Sequence, residues 1–174
     1  MPVLQRLTTE YIEKEDRVRI SGEGIDGEHE SFWLSQRLLI RLIRYLVSAI
    51  EESPSSDEPT SVTDLRTKAL FNEMAQQVAQ QTLPAQAPVV TPQEGNPWLV
   101  LEVDVSKVQQ RVKLVFKSAR SKHTELMLDK NQLRQWLSIL FRLWQQAEWP
   151  LSVWPDWILN TSKPAATSSI NPLH

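Results

Sequence analysis

The chain has 174 residues, 41% of them hydrophobic, with 19 basic and 21 acidic side chains and a formal charge of −2. It contains no cysteine, which excludes disulfides, thiolate nucleophiles and thiolate metal ligands, and its balanced charge is poorly suited to nucleic acid as a whole. No stretch approaches the ~20 apolar residues of a membrane span, and the first residues lack the apolar core of a secretory signal, so a cytoplasmic protein with no membrane partner is expected.

The first strand is read from Leu7, Thr9 and Tyr11, whose period-two spacing marks a half-buried strand. The following Glu13, Glu15 and Asp16 are acidic enough to suggest a general acid–base pair, but before a strand they read better as a solvated turn. A second strand sends Val18 and Ile20 inward and Arg17 and Arg19 outward.

Next comes Gly22-Glu23-Gly24-Ile25-Asp26-Gly27, a literal G-x-G-x-x-G. A dinucleotide loop must open a helix, whose N-terminus holds the pyrophosphate. Here the residues that follow, EHESFWL, read as another strand, with Phe32 and Leu34 inward and Trp33 outward. The triplet is therefore expected to form a hairpin turn, and no cofactor is expected.

Ser35 is an N-cap type, and Leu34 with Leu39 forms a hydrophobic staple across it, so a helix begins there and runs to about residue 50. Its apolar residues, from Leu38 and Leu39 to Ile50, cover a wide arc, leaving Arg37, Arg41, Arg44 and Ser48 as the polar side. A helix lying on one sheet needs a narrower stripe, so a second apolar contact is expected.

Residues 51–96 read as a Ser/Pro-rich linker. Within it a helix is expected near 64–82, capped by Asp64, with a thin stripe of Leu65, Ala69, Met74 and Val78.

Residues 97–147 restate the first 50. A shift of 94 (Leu7 to Leu101) places Arg17-Val18-Arg19-Ile20 on Arg111-Val112-Lys113-Leu114, and His29 on His123. It also places Leu39, Leu42, Ile43, Leu46 and Val47 on Leu133, Trp136, Leu137, Leu140 and Phe141. Asp129 with Gln132 matches a capping box. The turn equivalent to the glycine triplet, FKSARSKHT, has no glycine, which strengthens the hairpin reading. On this alignment Leu101, Val103 and Val105 face in, while Trp98, Val100 and Val115 lie on the outward face with Trp33 and Met127.

The expected fold is therefore α+β. It consists of two tandem β-β-β-α repeats, 1–50 and 97–147, related by a pseudo-two-fold axis. Their sheets are antiparallel with helices on one face, and the linker adds a helix. Residues 148–158, with Trp149, Trp154 and Trp157 among prolines, are expected to pack on the core, and 159–174 to form a flexible tail.

Function is less legible. The three histidines, His29, His123 and His174, have no metal-ligand spacing and no triad companions. The favoured expectation is a non-enzymatic protein-interaction or assembly module, homo-oligomeric or bound to another protein, with Trp149, Trp154, Trp157 and Trp33 as contact residues. The alternative is single-stranded nucleic-acid binding. Residues 97–146 carry nine basic and four acidic groups, with Arg111, Lys113, Lys117, Arg120 and Lys122 near one strand and its turn.

Overall fold

The structure is a computed structural model that describes residues 2–52, 62–90 and 96–163. The fold is α+β. Strands β1 (Val3–Ile12), β2 (Arg17–Gly24) and β3 (His29–Leu34) precede helix α1 (Gln36–Glu51). Helix α2 (Val62–Gln81) follows. Then come β4 (Trp98–Leu99), β5 (Glu102–Val108), β6 (Arg111–Lys117), β7 (His123–Leu128), α3 (Lys130–Gln146) and the short α4 (Asp156–Leu159).

The expectation of separate antiparallel sheets is corrected. All seven strands form one mixed sheet, in the order β4-β3-β2-β1-β7-β6-β5. Two parallel joins unite the halves: Val3 and Leu4 of β1 pair with Glu125 and Leu126 of β7, and Trp98 and Leu99 of β4 pair with Phe32 and Trp33 of β3. Strands β4 and β5 are consecutive in the chain yet lie at opposite ends of this order, so the sheet curls until both ends are carried by one kinked segment.

The β2–β3 and β6–β7 ladders keep the same register under the shift of 94: Ile20 faces Phe32 where Leu114 faces Leu126, and Glu23 faces His29 where Lys117 faces His123. The preceding hairpins do not. Thr9 faces Ile20, but Val105, not Val103, faces Leu114. Four residues, Glu13–Asp16, link β1 to β2, whereas only Gln109 and Gln110 link β5 to β6, with Gln109 at φ 57°. The gap-free alignment thus slips by two along this strand. Residues 100 and 101, between β4 and β5, absorb the difference. There the facing reverses: Val100 is buried and Trp98 packs on the core at 5.0 Å from Phe32, while Leu101 is 57% exposed.

The glycine triplet lies at the β2–β3 hairpin, followed by a strand and not a helix. Gly22 allows close approach: a Cβ there would stand 2.6 Å from a Leu4 methyl, so Leu4 would have to shift. Gly27 is favoured by its φ of 79°, where a side chain would add strain.

Both helices start where their caps predict. Ser35 Oγ accepts from the Leu38 amide at 3.3 Å, and Asp129 with Gln132 forms a reciprocal capping box. Helices α1 and α3 contribute Leu39, Ile43, Leu46, Leu137, Leu140 and Trp144 to one continuous core with the inward residues of the sheet. Helix α2 starts at Val62, so Asp64 lies within its first turn and is not its N-cap. Part of the expected tail is ordered: residues 160–162 form a 3-10 turn and Asn160 donates to Glu73 of α2 at 3.0 Å. The rest, 164–174, lies outside the described residues, as do 53–61 and 91–95 of the linker.

Candidate interaction surface

The residues singled out for contact are mostly inside. Trp149, Trp154 and Trp157 are all buried. Trp144 packs edge-on against Trp149 at 4.8 Å and against Trp154 at 5.8 Å, and Phe141 packs against Trp154 at 5.2 Å. The indole N–H of Trp149 donates to Asp16 and that of Trp157 to Glu51. These three rings clamp the segment after α3 onto the core and offer no free strip to a partner. Trp33 is half-buried on β3, opposite Arg19.

The basic residues do not converge either. Arg111 opens β6 and Lys117 closes it, so they stand about 20 Å apart at ~3.3 Å per residue. Lys113 pairs with Glu125 at 2.7 Å, and Lys117 with Asp104 at 2.5 Å and Glu102 at 3.6 Å. That contact holds Asp104 below the usual carboxylate range and raises the Lys117 ammonium. Arg120 and Lys122 lie at the exposed β6–β7 turn. Beside that turn, Lys117, Lys122, Ser118 and His123 border a hollow of about 320 Å³ floored by Val115.

The least expected surface is α2. Its inward side is polar or small: Asn72, Gln76 and Ala79 are buried. Gln76 Nε2 donates to the Arg134 carbonyl at 2.8 Å and to Ser138 Oγ at 2.7 Å on α3. Arg134 itself is buried. It donates to Asn72 Oδ1 at 2.7 Å, and its guanidinium carbon lies 5.3 Å from the centre of the Trp157 ring. Burial pushes its pKa below the ordinary value.

The opposite side of α2 is apolar and in water: Leu70 is 58% exposed, Phe71 63%, Met74 58% and Val78 56%. Leu70, Met74 and Val78 follow one another at i, i+4, i+8, with Phe71 beside them, so they form one stripe. Of the thin stripe expected from Leu65, Ala69, Met74 and Val78, which carries no direction by itself, Leu65, Met74 and Val78 are exposed, and polar groups hold the helix down. The sequence signal was present, since Asn72 and Gln76 are one turn apart on the face opposite that stripe. Apolar spacing alone does not say which face is inside.

A second surface missed from sequence lies on α1. Arg37, Arg41 and Arg44 are exposed and have no ion-pair partner among the described residues. Of these, Arg41 lines a cleft between α1 and the terminal strand β5, with a volume of about 310 Å³.

Among the described residues, no three His, Asp or Glu side chains gather as a metal site, and no helix is long and apolar enough to cross a membrane. The sequence matches no protein-family model, no curated protein and no solved structure.

Proposed function

We propose that this chain is a non-enzymatic assembly module that pairs with a second copy of itself through α2. The observation that carries this reading is the outward stripe of Leu70, Phe71, Met74 and Val78. A contiguous apolar patch on an otherwise polar helix is a contact surface in waiting. From Thr67 to Gln81 the same side carries no charge, only Thr67, Gln77 and Gln81 beside the stripe. Such a face meets its own copy across a two-fold axis without setting like charges together.

We also infer that the chain arose by internal duplication, with 1–50 and 97–147 as β-β-β-α units about a pseudo-two-fold axis. The shared register of the β2–β3 and β6–β7 ladders supports this. So do the matched parallel joins, Leu4 to Leu126 and Trp98 to Phe32, which a shift of 94 interconverts. The absence of cysteine fits a cytoplasmic setting.

Sedimentation at two concentrations tests the assembly reading. A concentration-dependent dimer that Phe71→Glu returns to monomer is expected. A wild-type chain that stays monomeric at every concentration overturns it.

A further inference from the structure

The two flanks at which the sheet's halves part company are filled differently. On the β1 flank, Trp136 of α3 drops its ring against the strand, 3% exposed, and donates its indole N–H to Thr9 Oγ1 at 3.1 Å. Further along, Trp149 covers Tyr11. On the β5 flank, the helix residue matched to Trp136 is Leu42, and the cleft of about 310 Å³ is left there. Its walls are Leu38, Leu42 and Tyr45 of α1 and Leu101, Val103 and Val105 of the strand segment. Strand β5 ends the sheet order, so among the described residues its side toward this cleft has no ladder partner. A free edge above an apolar trough is the geometry by which an extended peptide is taken up as an added strand.

Charge selects among such peptides. At the rim Arg41 is exposed and unpaired among the described residues, with Arg37 and Arg44 on the same side of α1. Among the described residues lining the cleft the one carboxylate, Glu102, is engaged by Lys117 at 3.6 Å. Shape selects as well. By ladder register Val105 stands where Thr9 stands on the other flank, facing Leu114 as Thr9 faces Ile20. Val105 offers no acceptor for an indole N–H, so a phenyl ring suits the trough better than an indole.

We infer that the α1–β5 cleft is a peptide-binding site. Its occupant is an extended acidic segment of a partner protein that adds to the edge of β5 and inserts a phenylalanine-type ring where the other flank holds Trp136. The choice of ring rests on the duplication reading above. The edge strand and the arginine row stand independently of it, and the site is separate from α2.

The probe is a random linear peptide library displayed on phage, selected against the full-length wild-type chain. Sequences enriched in Asp or Glu flanking a Phe or Tyr are expected. A synthetic peptide of that consensus should lose at least about tenfold in affinity on Leu42→Phe, which fills the trough from within. On Arg41→Glu the selection should turn to Lys- or Arg-containing sequences. Arg41 is solvent-exposed, so that variant reads the site even where Leu42→Phe disturbs packing. No enrichment over a blank support, enrichment that Leu42→Phe leaves unchanged, or an Arg41→Glu chain that still selects acidic peptides overturns the inference. Phe71→Glu, which tests self-pairing, should leave peptide affinity unchanged, so the two ideas fail separately.

Discussion

Trp149 meets Tyr11 edge to face, with ring centroids 5.5 Å apart and planes at 80°. Both rings donate to the same oxygen, Asp16 Oδ1, at 2.9 Å from the Tyr11 hydroxyl and 3.0 Å from the Trp149 indole. Asp16 reaches both because it turns back at φ 47°, ending the 3-10 turn after β1. One carboxylate thus ties the chain's first hairpin to the segment that follows its last long helix.

Substitutions at Asp16 should rank by what each retains. Asp16→Asn keeps an acceptor oxygen and tolerates a left-handed backbone, so it should cost least. Asp16→Gly loses the acceptor but not the conformation. Asp16→Ala loses the acceptor and adds backbone strain of about 1 kcal/mol, for a total of about 2 kcal/mol. Trp149→Ala should exceed all three, at about 3–5 kcal/mol, because it also empties the core beside Trp144. Urea unfolding midpoints measure the order, and Asp16→Ala equal to wild type would remove the carboxylate from the account.

The Tyr11 hydroxyl is raised above its ordinary value, by burial first and then by its hydrogen bond to Asp16 and nearby negative charge. A raised acid favours folding below its unfolded value, ~10, and loses that contribution as pH rises through the folded value. Asp104 has the opposite sign. Its pKa is lowered by the hydrogen bond from Lys117, so its contribution is present at neutral pH and lost as pH falls through the depressed value. Unfolding midpoints from pH 2 to 11 for Tyr11→Phe and Asp104→Asn check both signs. Tyr11→Phe should flatten only the alkaline limb, whereas Asp104→Asn should flatten the acid limb and, because it also removes the main cause of the raised Lys117 ammonium, soften the alkaline limb as well.

Helix α2 is held by polar groups, and that makes its attachment separable. Asn72→Ala leaves the buried Arg134 guanidinium without its 2.7 Å acceptor and should cost about 1–3 kcal/mol. Arg134→Met removes the buried charge and should soften that penalty, so the double variant should be more stable than the two losses summed. The unfolding free energies of the four proteins give the coupling. Strict additivity would mean that Asn72 and Arg134 do not act together.

How much of this was legible follows from the range of the forces. The caps at Ser35 and Asp129, the staples and the hairpin at Gly22–Gly27 are local, set by residues within a turn of one another, and the sequence displays them. The parallel joins of Leu4 with Leu126 and Trp98 with Phe32 are pairings between distant segments, and nothing in alternation announces which edges meet. The kink at Val100 and Leu101 follows from those joins, so the facing of Trp98, Val100 and Leu101 was misread with them. For α2, helix-forming composition and the thin stripe of Leu65, Ala69, Met74 and Val78 were legible, but Leu70 and Phe71 lay outside that expected stripe and its direction was not given. That direction depends on another helix, where the buried Arg134 guanidinium donates to Asn72 turned inward and Gln76 donates to the Arg134 carbonyl and Ser138.

The outward face of α2 is where folding and assembly come apart. Phe71 and Met74 are solvent-exposed in the single chain, so their replacement by glutamate should change its unfolding free energy by no more than about 0.5 kcal/mol. In a two-fold pair the same change places two new charges against each other in an apolar contact. The dimer should then weaken by at least about tenfold, each 1.4 kcal/mol being a factor of ten. Equilibrium sedimentation and urea unfolding on the same Phe71→Glu sample separate the two effects. A variant that loses self-association while keeping its unfolding midpoint at low concentration locates the interface on α2. One that unfolds more easily as a monomer would instead make the stripe a part of the fold.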